Sequence, residues 1–151
     1  MPNDLRTLDR RIAGLMERTG VPALRVSLAV IFIWFGALKP LGMSPAEDLV
    51  LMTVSWMPLL EPRGWLAVIG WWEVAIGVTF LFRRTVRLAI ALLALQMGGT
   101  LLPLFILPGV TFQRVPWAPT LEGQYIIKNL LIISAALVVG GTVRRREERV
   151  P

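Results

Sequence analysis

The run GWLAVIGWWEVAIGVTFLF, residues 64–82, decides the fold. At about 1.5 Å per residue it reaches across a hydrocarbon layer of roughly 30 Å. It is too long and too evenly apolar for a barrel strand, which alternates over about ten residues. Lipid offers the backbone no partners, so a spanning segment of this kind is helical. Its one charge, Glu73, falls near mid-span, where a carboxylate costs on the order of 2.5–3.5 kcal/mol. Gly70 and Gly77 lie on the same helical face, at i−3 and i+4. Small residues mark the places where membrane helices touch, so Glu73 is expected to point at other helices and not at lipid.

Three further runs flank this one: residues 24–40, 85–107 and 123–141. Each is also long enough to cross. The expected fold is therefore all-α: an integral membrane antiparallel four-helix bundle with short interfacial helices. Residues 1–21 form a cytoplasmic amphipathic segment, 22–141 the transmembrane domain and 142–151 a basic cytoplasmic tail. In the first segment Leu5, Leu8, Ile12, Leu15 and Met16 recur at helical spacing, with Arg6, Arg10, Arg11 and Glu17 largely off that stripe. This reads as a short helix lying on the interface. Asp4, Asp9 and Glu17 and the lack of an apolar core there argue against a cleavable signal peptide.

The composition agrees. Of 151 residues, 55% are hydrophobic and only 17% charged, against about 45–50% and about 25% in soluble domains. A net charge of +6 could suit nucleic acid, but the basic residues fall in clusters between apolar runs, which is a membrane pattern. Arg6, Arg10, Arg11, Arg18, Arg25, Arg83, Arg84, Arg87, Arg144, Arg145, Arg146 and Arg149 lie on one side. Lys39, Arg63, Arg114 and Lys128 belong to the other. The positive-inside rule then places both termini in the cytoplasm. Nucleic acid is not an expected partner; the bilayer is, with anionic lipid near the arginines. The chain has no cysteine and no histidine. Disulfides, thiol nucleophiles, Cys/His zinc sites, iron–sulfur clusters, bis-His haem and Ser-His-Asp triads within the chain are therefore excluded.

The connections differ in character. Arg83-Arg84 is short and makes a tight hairpin. Ser44-Pro45-Ala46-Glu47 reads as a capping box, with Ser44 at the N-cap, Pro45 at N1 and Glu47 at N3. It would open a short outer helix ended by Pro58 and Pro62. The prolines and aromatics of 108–119 suggest an ordered lid. Trp56, Trp65 and Trp117 also suit an interfacial aromatic belt.

The candidate site gathers the polar groups within the spans: Lys39, Glu73, Gln96, Tyr125, Lys128 and Asn129. Counting the helical rise from the outer ends puts Lys128 about 8 Å deep, Glu73 about 14 Å and Gln96 about 16 Å. Glu73 would pair with Lys128 or, second, with Lys39. Such a pair fixes helix register or serves a substrate, proton or quinone site, and both readings stand at this point. Lys39 also reads as a snorkelling interfacial lysine. Ala136-x-x-x-Gly140 is a weak helix-contact signal.

Phe35-Gly-Ala-Leu-Lys-Pro-Leu-Gly, Ser44-Pro45 and Leu121-Glu-Gly-Gln-Tyr-Ile-Ile-Lys-Asn-Leu resemble the DoxX-like superfamily of small four-helix bacterial membrane proteins, including the related RclC/YkgB group. The resemblance covers about residues 22–141. It implies a four-helix membrane bundle and redox settings: thiosulfate–quinone oxidoreduction, oxidant detoxification and reactive chlorine resistance. It also implies that Lys39, Glu122 and Lys128 belong to the site. Distant animal relatives are assembly chaperones for membrane receptors. Three functions remain open. One is an accessory membrane subunit of a redox or oxidative-stress system, with a quinone-like ligand and a membrane or soluble oxidoreductase partner. The others are a non-catalytic assembly protein and a small transporter acting as a homo-oligomer.

Overall fold

The computed structural model describes the backbone of residues 3–147 and the side chains of 5–142. Asn3–Leu38 form α1, Glu47–Val54 α2, Pro62–Leu81 α3, Val86–Leu101 α4, Pro103–Ile106 α5 and Pro108–Thr111 α6. Two short antiparallel strands follow, β1 (Phe112–Arg114) and β2 (Ala118–Pro119), then α7 (Leu121–Ile127) and α8 (Asn129–Glu147). Leu5–Leu38, Pro62–Leu81, Arg83–Ile106 and Leu121–Thr142 are long and apolar enough to cross a membrane. Between 17% and 28% of each one's most apolar stretch is buried inside the protein. Most of this apolar surface therefore faces outward, which marks a multi-pass membrane protein.

The boundaries depart from the sequence reading in four places. The expected interfacial helix and first span form one helix, with Pro22 inside it. Pro22 lacks the N–H that would bond one turn back, but the flanking turns carry the helix through. The third span breaks at Leu102, where Pro103 cannot continue the hydrogen-bond ladder and begins the short α5. The fourth span divides at Lys128 into α7 and α8. The capping box is not made. Glu47 opens α2 with Ala46 at its N-cap, and the Ser44 hydroxyl accepts from the Ala46 N–H at 3.3 Å, closing a local turn instead. The basic tail is described only in part: the side chains of Arg144, Arg145 and Arg146, and all of Arg149, lie outside the described residues.

The long helices pack in order: α1 on α3, α3 on α4, α4 on α8 and α8 on α1. Leu28, Ala29, Phe32, Ile76, Phe80, Ala89, Leu93, Met97, Ala136 and Val139 fill the space among them. On α3 the inward positions are Leu66, Gly70, Glu73, Gly77 and Phe80, alternating four and three residues apart, the spacing of a helix facing close neighbours. The tight hairpin forms as expected, through a 3₁₀ turn at Arg83–Thr85, where the Thr85 hydroxyl donates to the Thr79 carbonyl at 2.7 Å. The Ala136/Gly140 signal also corresponds to a contact: Ala136 is buried, and a Cβ on Gly140 would come 2.7 Å from Ile90 Cδ1 on α4.

At the end of the helices away from the Arg83–Thr85 turn, α2 packs on α3 and touches α5, while α6 packs on α7. Thr120 ties this region together. Its N–H donates to the Thr111 carbonyl at 2.9 Å and its hydroxyl to the Val110 carbonyl at 2.8 Å. The same hydroxyl oxygen accepts from the Gly123 N–H, capping α7. Gly123 must lack a side chain, because a Cβ there would lie 2.0 Å from the Thr111 carbonyl oxygen. The 108–119 lid is thus an ordered structure held by backbone bonds.

Candidate functional site

The α1–α3 seam is built on two matched tetrapeptides, Gly36-Ala37-Leu38-Lys39 and Gly70-Trp71-Trp72-Glu73. The helices run in opposite directions, so each glycine faces the other helix's charged residue. A Cβ on Gly36 would meet Glu73 Cβ at 2.8 Å and the Gly70 carbonyl at 2.8 Å. A Cβ on Gly70 would meet Lys39 Cβ at 2.8 Å and the Gly36 carbonyl at 2.7 Å. Gly77 continues the seam against the Ala29 carbonyl and Ile33. The missing side chains let the two backbones touch, and that approach seats the two charges against each other.

Lys39 Nζ donates to Glu73 Oε2 as a salt bridge. The side chains are 8% and 14% exposed, so both charges are largely removed from solvent. Gln96 on α4 donates from Nε2 to the other carboxylate oxygen, Oε1, at 3.1 Å. Three helices thus converge on one carboxylate, satisfying both of its oxygens. Beside this contact, Trp72 Nε1 donates to the Leu92 carbonyl of α4 at 3.2 Å. Trp71 and Trp34 instead lie on the exposed apolar exterior. Among the described residues no group of His, Cys, Asp and Glu could hold a metal ion.

Lys39 also lines an open cleft of about 420 Å³ at the Lys39 end of the seam. Pro40, Leu41, Leu66 and Ala67 give it apolar walls, and Glu47 and Arg63 stand beside them. An ammonium has three donors, and the cleft leads to one whose charge is already balanced by Glu73.

The candidate residues therefore fall into two groups. Lys39, Glu73 and Gln96 come together. Lys128, Tyr125, Asn129 and Glu122 do not join them. Lys128 is exposed and lies over the Tyr125 ring at 5.5 Å. Tyr125 is 63% exposed, and Asn129 bonds its carbonyl at 3.4 Å. Glu122 is exposed in the first turn of α7. The first-choice pair, Glu73–Lys128, is thus replaced by the second, Glu73–Lys39. Depth along a helix does not say which helix is adjacent: α3 has α1 and α4 as its long neighbours, while the segment bearing Lys128 leads into α8, across the assembly. Arg63 was not singled out by its position in the sequence, since a charge at the start of a span reads as a solvated residue. Glu47 was read only as part of a helix cap.

No family model, no curated protein and no solved structure matches the chain.

Proposed function

We propose that the protein is an accessory subunit in a bacterial inner membrane, an antiparallel four-helix bundle with cytoplasmic termini. Its Lys39–Glu73–Gln96 cluster holds the head of a small apolar ligand of the quinone type. The observation that carries this reading is the cleft: it sets apolar walls beside charged groups, is open on one side and is lined by a lysine that a carboxylate holds in place. Small-ligand sites combine apolar walls with a few placed polar groups, and ionisable groups within spans mark function more often than bulk packing. The orientation of such a head is set by hydrogen-bond donors. Lys39 would donate to a ring carbonyl, while Glu73 holds the lysine and Gln96 holds Glu73. A quinone supplies two-electron carbonyl chemistry when bound. The chain has no cysteine or histidine to pass electrons, so the electrons would come from a partner oxidoreductase. The likeness of the Gly36-x-x-Lys39 region to DoxX-like proteins favours the same setting.

The test is to purify the full chain in mild detergent and extract its bound small molecules. The expected result is quinone near one per chain, lost from the charge-neutral double variant Lys39→Met with Glu73→Gln. Quinone no higher than in an unrelated four-helix membrane protein from the same cells would refute the reading.

A further inference from the structure

The cleft at Lys39 has a neighbour. A second depression of about 600 Å³ lies between α2, the start of α3 and the α5–α6 corner, with Leu51, Met52, Pro62 and Leu107 among its lining. Arg63 lines both. So does one face of α2: Glu47 borders the first depression, and Leu51 and Ser55, one and two turns on, border the second. The two depressions share Arg63 and follow one another as a trench along the α2–α3 seam, mixed in polarity at the Lys39 end and apolar at the Leu107 end. At about 600 and 420 Å³ both are open depressions with room for more than a bare ring.

The charges along this trench restrict the occupant. Lys39 is neutralised by Glu73. Arg63 is exposed and makes no ion pair among the described residues, although Glu47 and Glu61 line the same walls. Two positive groups therefore face three negative ones. That balance repels a phosphate and suits a neutral head that accepts hydrogen bonds. A guanidinium offers five donors in a fixed fork and stays charged.

We infer that Arg63 is the second donor to the ligand proposed above, and that the ligand is an elongated neutral amphiphile. Its oxygen-bearing ring lies between Lys39 and Arg63, and its apolar chain lies along Leu51, Met52, Pro62 and Leu107. This rests on the quinone reading and adds a specificity-determining residue and a place for the chain.

The experiment uses the full chain in phosphatidylcholine nanodiscs and a benzoquinone carrying a diazirine on a ten-carbon chain. Saturable photolabelling is mapped by mass spectrometry. The expected label falls on the segments around Met52 and Leu107 and is competed by the unlabelled quinone. Arg63→Gln should lower saturable labelling by about tenfold or more, the usual effect of losing a hydrogen bond to a charged group. Met52→Gln should move the label away from α2 while leaving competition by a chainless benzoquinone intact. Both substituted residues are exposed, and the unfolding midpoint of each variant checks that the fold survives. Saturable labelling lost in the double variant Lys39→Met with Glu73→Gln but unchanged in Arg63→Gln overturns this inference and leaves the quinone reading standing. Label confined to the outward faces of α1 or α8 does the same. An alkyl phosphate that competes better than the quinone overturns the neutral head. No saturable labelling of the native chain overturns both readings.

Discussion

Replacing Glu73 by alanine tests the centre of the structure. The Lys39 side chain, 8% exposed, would lose its carboxylate partner. The Gln96 amide would lose the acceptor that it reaches at 3.1 Å. Breaking a buried pair from one side costs about 3–5 kcal/mol, because the remaining charge is left uncompensated. This corresponds to roughly two to four decades in the ratio of folded to unfolded protein. The variant Glu73→Gln with Lys39→Met removes both charges while keeping the volume and a partner for Gln96. It should return to within about 1 kcal/mol of the native chain, since a buried pair exchanged for neutral groups of similar shape is often neutral or better. Lys128→Met provides the control. Lys128 is exposed and placed over Tyr125, away from the carboxylate, so its loss should have little effect. Reversible unfolding in mixed micelles, followed by tryptophan fluorescence, measures all three. The reasoning fails if Glu73→Ala unfolds within about 1 kcal/mol of the native chain, if the double variant does not recover, or if Lys128→Met destabilises as much as Glu73→Ala.

Gly70→Ala should destabilise by about 1–3 kcal/mol in the same assay, because its methyl group meets backbone at 2.7 Å; Gly98→Ala, with nothing within 4 Å, should not. Thr120→Ala removes the α7 cap and the bond to Val110 and should cost about 0.5–2 kcal/mol. Ser44→Ala, which caps no helix, should change stability by less than about 0.5 kcal/mol; an equal loss in both would restore the capping box at Ser44. Alkaline phosphatase fused after Pro151 should be inactive in a bacterial host, and activity there would reverse the orientation derived from the arginines.

Four spans and a hairpin at Arg83 were legible in the sequence because they depend on local quantities: run length, hydropathy and the few residues of a turn. The inward aim of Glu73 was legible for the same reason, since Gly70 and Gly77 share its helical face whatever lies opposite. The start of α2 was not. Ser44 fits an N-cap, but its hydroxyl turns back to Ala46 and the helix opens at Glu47, a choice between two local bonds of similar strength that the surrounding packing settles. The partner of Glu73 was not legible either. Lys39 and Lys128 both lie toward the same ends of their spans in the sequence, and the helical rise gives depth alone. Only the packing order put α1 beside α3, and only the reciprocal fit of Gly36 against Glu73 and Gly70 against Lys39 brought the charges together. Arg63 gained a place in a cleft in the same way: its local sequence describes a charged residue at a helix start, and α2, folded back over α3, supplies the opposite wall. One-dimensional pattern records which face of a helix avoids lipid; which neighbour that face meets is set by how closely two backbones can approach, and that depends on both helices at once.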